Sequence, residues 1–257
     1  MNTVLSLIIM ISQNTIRKDN MNFIASYIID HLYEIDAMSI KTLAENCYTS
    51  TTSIIKFCQL IGFDTYAEFK KYLYSSLETR KEQLTKKCQN LQIEDLFNKI
   101  ELFSQDSLDK QGLYQSVQKI VNMIIQKRSI HFYGAVFPLA LVESFSEDMA
   151  IMKVPVHVHQ TPFDQIDLQS NEAVNIIVTL TGRFIELNKE GFQQLCQLHQ
   201  DIVLISQEVS DLKEIALQLT LPHTMNSDYD DILYILLLDL IKLSYYQFYH
   251  EHFEQRF

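Results

Sequence analysis

The segment Ser39–Phe63, SIKTLAENCYTSTTSIIKFCQLIGF, predicts two short helices joined by a tight turn. Ser39 and Ser50 each stand where a helix begins. Serine is a favoured residue there because its hydroxyl accepts a hydrogen bond from an amide of the first turn. Apolar residues then recur at the spacing of one helix face, at Ile54, Phe57, Cys58 and Ile61. Gly62 follows, and glycine commonly ends a helix.

The start of the second helix presents small polar residues opposite this apolar face. They are Ser50, Thr51, Thr52, Ser53 and Lys56, and we add Lys41 from the preceding helix to the set of candidate DNA contacts. Such a pair is typical of a helix-turn-helix, whose second helix enters the major groove of DNA. Hydroxyls and free amides bind phosphate oxygens there, and threonine methyls contact thymine. The same spacing also occurs in capped helices of ordinary helical domains, so both interpretations stay open.

The charge of the chain is unevenly distributed. Its formal net charge is −11, but residues 1–85 hold 8 of the 21 basic and 9 of the 32 acidic residues and are nearly neutral. A basic patch is the usual mark of a nucleic-acid binder. The neutral N-terminal part is therefore not strongly repelled by phosphate, yet it leaves open a protein-binding module with a relic helix-turn-helix.

Composition indicates a globular protein with room for two modest domains. The chain has 257 residues, of which 47% are hydrophobic and 21% charged. The four cysteines form no CxxC pair, so we interpret them as reduced thiols of a cytoplasmic protein with no metal site or cofactor. The apolar run Val4–Ile11 is too short to cross a membrane, and Asp239 and Lys242 interrupt Ile232–Leu243, so no membrane partner is expected.

The sequence predicts three parts along the chain. Residues 1–85 show helical periodicity and form the helical domain, and residues 86–108 are interpreted as a linker or connecting helix. Across residues 109–257, short runs rich in valine and isoleucine alternate with amphipathic helical stretches, which predicts a parallel sheet with helices on both faces. The predicted strands are Ser129–Tyr133, Val154–His159, Val174–Leu180, Ile202–Ile205 and Leu217–Leu221.

The stretch AENCYTSTTSIIKFCQLIGFDTYAEFKKYL resembles the N-terminal domain of RpiR-type transcriptional regulators. The matching positions are Ala44-Glu45, Ser50, Lys56-Phe57, Ile61-Gly62-Phe63 and Tyr66-Ala67-Glu68-Phe69, all without a gap. The resemblance spans about residues 1–77 and implies transcription regulation through double-stranded DNA. The family usually carries arginine at Lys56. Arginine grips guanine or phosphate with a two-pronged fork that lysine lacks, so we expect base readout to differ or to be weaker.

Members of that family join the domain to a sugar isomerase (SIS) domain, which has a five-stranded parallel sheet flanked by helices and binds phosphosugars. The expected fold is therefore an all-α helix-turn-helix domain followed by an α/β SIS domain. The family's phosphate loop resembles Ser-x-Ser-Gly-x-Thr and often has a glutamate two residues later. The corresponding residues are Thr179, Thr181, Gly182 and Glu186. Phe184 stands where the family has a hydroxyl residue, and Arg183 is a candidate to supply positive charge.

Other loops at the strand ends depart further from the family pattern. After the first strand only Gly134 is kept, and Phe137 and Pro138 make the wall apolar. In the loop after the fourth strand, Ser206 corresponds to the serine that the family carries there. Two interpretations follow from the resemblance. In one, the pocket binds a phosphorylated sugar. In the other, it has changed and the domain serves mainly for dimerisation.

Three further expectations concern metal binding, catalysis and assembly. His157 and His159 share one side of a strand and could ligate a metal with Asp164 or Asp167, but no third ligand has a defined spacing, so we favour no metal. A sugar-phosphate isomerase is the rival enzymatic interpretation, with Glu186 as its base. Because paired domains read paired half-sites, a homodimer or homotetramer is expected.

Overall fold

The structure is a computed structural model that describes residues 3–13, 19–160, 172–198, 201–208, 212, 215–226 and 229–253. The helices are α1 (Thr3–Ser12), α2 (Asn20–Asp30), α3 (Ile40–Asn46), α4 (Thr51–Leu60), α5 (Tyr66–Asn90), α6 (Ile93–Phe103), α7 (Lys110–Lys127), α8 (Val136–Ala140), α9 (Glu143–Ile151), α10 (Arg183–Leu187), α11 (Lys189–Leu198) and α12 (Asp230–His252). The strands are β1 (Ile130–Gly134), β2 (Val156–Gln160), β3 (Val174–Val178), β4 (Ile202–Ser206) and β5 (Leu217–Thr220).

The helix-turn-helix prediction is confirmed in its detail. Ser39 caps α3 by accepting from the Thr42 amide at 3.0 Å, and Ser50 caps α4 by accepting from the Ser53 amide at 3.1 Å. Gly62 adopts a left-handed backbone, with φ of 94°, just after α4 ends. Glycine reaches this region at little cost because it has no Cβ.

The apolar face of α4 packs into the core of the helical domain. Ile54, Phe57 and Cys58 are fully buried, and the ring of Phe57 meets that of Phe69 on α5 edge to face at 6.2 Å. Burial of three such side chains contributes roughly 1.5–3 kcal/mol each to folding. This packing fixes which side of α4 faces outward, and it is the side that carries Thr51, Thr52 and Lys56.

Helix α5 joins the two predicted domains without a break. It begins at Tyr66 under α4 and runs for 25 residues to Asn90, so the boundary predicted after residue 85 falls inside it. The stretch interpreted as a linker also contains α6, whose buried Leu96, Phe97 and Ile100 belong to the main core. The helical domain is therefore connected to the rest of the chain by a continuous, packed helix.

Within the described residues, five parallel strands form one sheet in the order β2-β1-β3-β4-β5. Alternate residues face opposite sides. Phe132 and Ile176 face the side on which α7 and α9 pack, whereas Tyr133 and Ile177 face the side covered by Phe192 of α11. The predicted fold class, a helical helix-turn-helix domain followed by an α/β domain with a five-stranded parallel sheet, is confirmed.

Helix α12 is long and apolar enough to meet the length and hydropathy criteria for a membrane span. In the structure 67% of that apolar window is buried, and the helix packs against α6, α7 and α9. Its Lys242 and Asp239 take part in ion pairs with other helices. The helix is thus packed as a core element of the α/β domain.

Candidate nucleic-acid interface and ligand site

The start of α4 displays the hydroxyls that the sequence singled out. Ser50, Thr51 and Thr52 are exposed, Ser53 is half-buried, and Lys56 is exposed one helical turn beyond Thr52. The Ser50 hydroxyl already accepts from the Ser53 amide and lies 3.0 Å from the Ser53 hydroxyl. Thr51 and Thr52 consequently have the hydroxyls best placed to meet a ligand from outside.

Positive charge at this surface is sparse. Lys41 is 80% exposed on α3, but its ammonium lies 3.8 Å from the Glu45 carboxylate one turn along the same helix. Such an exposed pair contributes little stability, yet it offsets the lysine charge locally. Lys41 and Lys56 are the two basic residues of segment 39–63, so neutral donors and one uncompensated lysine dominate the outward face.

Two thiols, Cys47 and Cys58, lie beneath this surface. Burial raises the pKa of Cys47 to about 11, and it raises that of Cys58 to about 11 although a backbone hydrogen bond opposes it. Both are free thiols, and at neutral pH they stay protonated. Because the thiolate is the reactive form, these residues act as small apolar fillers behind the recognition helix.

Tyr48 is a feature of the surface that the sequence analysis missed. It lies in the turn between α3 and α4, has a left-handed backbone with φ of 51°, and its side chain is fully exposed. An aromatic residue in this conformation is uncommon. Its position could have drawn attention to it, because a small turn-forming residue rather than a large aromatic ring is expected two residues before Ser50.

The predicted ligand residues gather at the carboxyl ends of three neighbouring strands. Gly134 ends β1, Thr179 follows β3, and Ser206 ends β4. The Thr179 amide donates to Ile205 at 3.0 Å, which holds the β3 and β4 ends together. Ligands of open parallel sheets bind at this edge. The arrangement therefore places these residues where a small-molecule site is expected.

The two hydroxyls of this edge already have partners inside the protein. The buried Thr179 hydroxyl accepts from the Phe184 amide at 3.3 Å, and the buried Ser206 hydroxyl accepts from the Glu208 amide at 3.0 Å. By contrast, Thr181, Arg183 and Glu186 are exposed. A phosphate here would meet Thr181 and Arg183 first, because the other hydroxyls lie beneath the surface.

The two glycines of the site are needed for different reasons. A Cβ at Gly134 would stand 2.8 Å from the Val178 carbonyl oxygen of the adjacent strand, so the close approach of the strands requires glycine. Gly182 has φ of 74° just before the five-residue helix α10, and a Cβ there would meet open space. Phe137, after β1, is 60% exposed.

A polar cluster on one side of the sheet was also not foreseen. His159 Nε2 lies 3.0 Å from His131 Nδ1, and the Tyr133 hydroxyl donates to Asn175 at 3.3 Å. His157 Nε2 lies 2.9 Å from the carboxylate of Asp30 at the end of α2. These contacts are hydrogen bonds between neighbouring strands and a link to the helical domain.

The metal interpretation of His157 and His159 gains no support. Among the residues that the structure describes, no group of three His, Cys, Asp or Glu side chains is placed to hold a metal ion. Asp164 and Asp167, which the sequence offered as further ligands, lie outside the described residues.

A buried ion network fastens α5 to the α/β domain. Arg80 on α5 lies 2.7 Å from Asp148 and 3.3 Å from Glu147, both on α9. Lys242 on α12 lies 3.0 Å from Asp148 and also contacts Asp239, which in turn lies 3.3 Å from Lys87 on α5. Asp148 and Lys242 are 1% and 2% exposed.

The pKa shifts of Asp239 and Lys242 agree with the pairing, whereas burial and the neighbouring Lys242 lower the pKa of Lys87. Burial alone would raise the pKa of Asp239, but the Lys242 and Lys87 ammonium groups outweigh it and lower that pKa. Burial alone would lower the pKa of Lys242, but Asp148 and Asp239 raise it to about 12. Both groups therefore stay charged at neutral pH, and two turns of α5 are held against α9 and α12.

Comparison with known proteins agrees with the helical domain. The family model described as the helix-turn-helix domain of the rpiR family matches residues 6–80. A curated protein of Caldanaerobacter subterraneus subsp. tengcongensis, described as an uncharacterized HTH-type transcriptional regulator, is 26% identical over 160 residues. That match covers 60% of this chain and 54% of the relative, about half the length of the curated protein.

Solved structures resemble the chain more distantly. The Vibrio vulnificus NanR protein, complexed with ManNAc-6P, has a TM-score of 0.43 and 13% identity, and 96% of each chain is covered. A hypothetical protein of Methanococcus jannaschii, for which a 3-hexulose-6-phosphate isomerase function is inferred, has a TM-score of 0.44 and 12% identity over 60% of this chain and 87% of its own. Likenesses of this size transfer neither ligand nor activity. Residues 6–80 of this chain, which contain the helix-turn-helix of α3 and α4, match the model of the rpiR-family helix-turn-helix domain.

Proposed function

We propose that the chain is a cytoplasmic transcriptional regulator that binds double-stranded DNA through the start of α4. The observation that carries the proposal is the outward face of a family-matched recognition helix, where Thr51, Thr52 and Lys56 are exposed. Hydroxyls and a lysine at a helix start suit phosphate oxygens and base edges. We further propose a homodimer or homotetramer, because paired recognition helices read paired half-sites.

The proposal also assigns a sensing role to the α/β domain. The loop Thr181–Arg183 combines an exposed hydroxyl, a glycine and a guanidinium at the carboxyl edge of the sheet. These groups suit a phosphorylated sugar, which is the ligand class implied by the family resemblance. We therefore propose that the ligand binds at this edge and contacts Thr181, Gly182 and Arg183. The residues that surround this site are Gly134, Thr179, Glu186 and Ser206.

Packed helices connect the proposed ligand site at the sheet edge with the proposed DNA-binding face of α4. The loop after β1 leads through α8 to α9, and α9 is tied to α5 by the Arg80–Asp148 ion pair. Helix α5 in turn begins beneath α4, where Phe69 meets Phe57. A ligand that moves α9 would thus shift α4. Such coupling requires two states with different affinity for the ligand.

DNA binding is tested by titrating the full chain against fragments of its own and neighbouring promoters at several salt concentrations. Affinity is expected to fall as salt rises, because bound lysines release counterions from the phosphates. Lys56→Gln should reduce the slope of log affinity against log salt by about 1. Lys119→Gln, an exposed lysine on α7, is the matched control and should leave the slope unchanged. Absence of salt-dependent binding to every fragment would refute the regulator proposal.

A second function for the α/β domain, dimerisation without ligand, is favoured by one observation. The Thr179 and Ser206 hydroxyls hold backbone amides of their own loops. Thermal unfolding with a panel of sugar phosphates, and with the same sugars lacking phosphate, separates the two functions. A true ligand at about 100 times its Kd should raise the Tm by about 5 °C. Arg183→Gln should abolish that shift, whereas Lys189→Gln on α11 should keep it. No shift with any phosphate favours the dimerisation role.

A further inference from the structure

The turn before α4 holds a large aromatic ring in an unfavourable backbone conformation. Tyr48 has φ of 51°, a left-handed value that glycine adopts readily and a bulky residue rarely does. Its side chain is fully exposed, so packing against the core does not compensate for the strain. Residues held in such conformations cluster at functional sites.

The backbone of the turn does not depend on the ring. The Tyr48 amide donates to the Glu45 carbonyl at 3.1 Å, and the Thr49 amide donates to the Ala44 carbonyl at 2.9 Å. These bonds close the end of α3 and would form equally with glycine at position 48. The turn therefore needs the left-handed conformation, but nothing in its hydrogen bonding needs a phenol.

The location of the ring places it beside the proposed DNA-binding face. Tyr48 is two residues from Ser50, so its Cα lies within about 7 Å of the cap residue of α4. It precedes the helix rather than lying on it. If α4 enters the major groove, a side chain in the turn before it would lie nearer to the sugar-phosphate backbone than Thr51 and Thr52 on the helix.

The charge of the surface gives the phenol particular weight. Lys41 is offset by Glu45, which leaves Lys56 as the main cation of the segment. A segment with so little positive charge depends on neutral donors to hold phosphates. Tyrosine hydroxyls are among the side chains that donate to phosphate oxygens in protein–DNA complexes.

We infer that Tyr48 is a DNA-contact residue, whose hydroxyl donates a hydrogen bond to a backbone phosphate next to the recognition helix. The inference rests on the proposed DNA-binding function and deepens it. It adds a contact that carries no charge, so its contribution to affinity is independent of salt.

The test uses the full-length protein and a promoter fragment that it binds, with affinity measured at several salt concentrations. Tyr48→Phe removes only the hydroxyl and should weaken binding about tenfold, since a hydrogen bond to a charged group is lost. The salt slope and the Tm should not change. Tyr74→Phe, which alters an exposed tyrosine on α5, is the control and should bind as the unaltered protein does.

Tyr48→Gly separates a contact role from a structural one. Glycine relieves the left-handed strain, so the Tm should rise by about 2 °C while DNA affinity falls at least tenfold. Wild-type affinity in both Tyr48 variants would overturn the inference. So would wild-type affinity in Tyr48→Phe alone, which would mark a stacking ring, or a change in oligomeric state with unchanged affinity. If the unaltered protein binds no fragment, the proposed function itself fails, which is a distinct result.

Discussion

Two regions of this molecule carry hydroxyl residues close to the start of a helix: an exposed pair at α4, and a buried Thr179 with an exposed Thr181 before α10. At α4, Ser50 caps the helix while Thr51 and Thr52 face solvent. At α10, Thr179 is buried and its hydroxyl already accepts an amide hydrogen bond. The same residue types therefore serve different ends. Exposure leaves a hydroxyl for a partner molecule, whereas burial commits it to its own loop.

The two regions also differ in how the helix behind them is built. Helix α4 has 10 residues with an apolar face packed in the core, whereas α10 has 5 residues, none of them buried. A rigid helix presents its first turn in one orientation. The loop at α10 is instead held by the backbone bonds near Gly182 and by Thr179. The comparison indicates a preformed surface at the start of α4, and a sheet edge near α10 that is organised mainly by its loop.

The largest expected effect comes from breaking the junction between these regions. Asp148→Asn leaves the buried Lys242 and the half-buried Arg80 with less compensation, and it should cost about 3 kcal/mol, or a fall in Tm of about 6–12 °C. Glu147→Gln should reduce the stability less, because Glu147 lies farther from Arg80 than Asp148 does and is more exposed. Chemical and thermal unfolding measure both. Equal effects of the two variants would show that the buried network does not hold α5 in place.

The lowered pKa of Asp239 in the same junction predicts how stability changes at low pH. Lys242 and Lys87 lower the pKa of Asp239 in the folded state, so its contribution to stability is complete above the unfolded pKa of 3.8 and is lost as pH falls through the folded value. Asp239→Asn should therefore reduce unfolding free energy at pH 7 and flatten the decline below pH 4. An unchanged acid profile in this variant would contradict the pairing.

The next effect concerns the glycine that closes the strand edge. Gly134→Ala should cost about 2 kcal/mol, because its Cβ would meet the Val178 carbonyl at 2.8 Å in a sheet that cannot easily yield. Gly182→Ala should cost about 1 kcal/mol, from its positive φ alone. Urea denaturation ranks the two. A reversed order would mean that the loop at α10, rather than the sheet, sets the geometry of the ligand edge.

The smallest effect addresses the hydroxyls themselves. Thr179→Val leaves the Phe184 amide without its acceptor and should cost about 1 kcal/mol in stability. Thr51→Val, at an exposed position, should change stability by less than about 0.5 kcal/mol yet weaken DNA binding several-fold. Parallel unfolding and DNA titrations test the pair. Loss of stability in Thr51→Val, or none in Thr179→Val, would break the distinction between the two helix starts.

Much of the fold was predictable because it depends on local chemistry. Ser39, Ser50 and Gly62 mark helix ends through hydrogen bonds and backbone conformations that neighbouring residues decide. The strands were predictable because valine and isoleucine runs bounded by polar residues report burial on both faces. The extent of α5 was not predictable, because the charged stretch after Arg80 reads as a solvated end unless its partners on α9 and α12 are known.

The candidate sites divide in the same way. Sequence pattern alone determined that a capped helix with one apolar face begins after Ser50, because spacing and residue type are local properties. The assignment of a phosphate loop to Thr179–Glu186 comes from the family resemblance and stays a prediction. Only the tertiary structure decided which hydroxyls face outward, that Tyr48 stands exposed in a strained turn, and that Asp148 and Lys242 are buried together. Burial and pairing depend on residues that are distant in sequence. These two properties decide whether a hydroxyl can meet a partner molecule or is engaged in a hydrogen bond inside the protein.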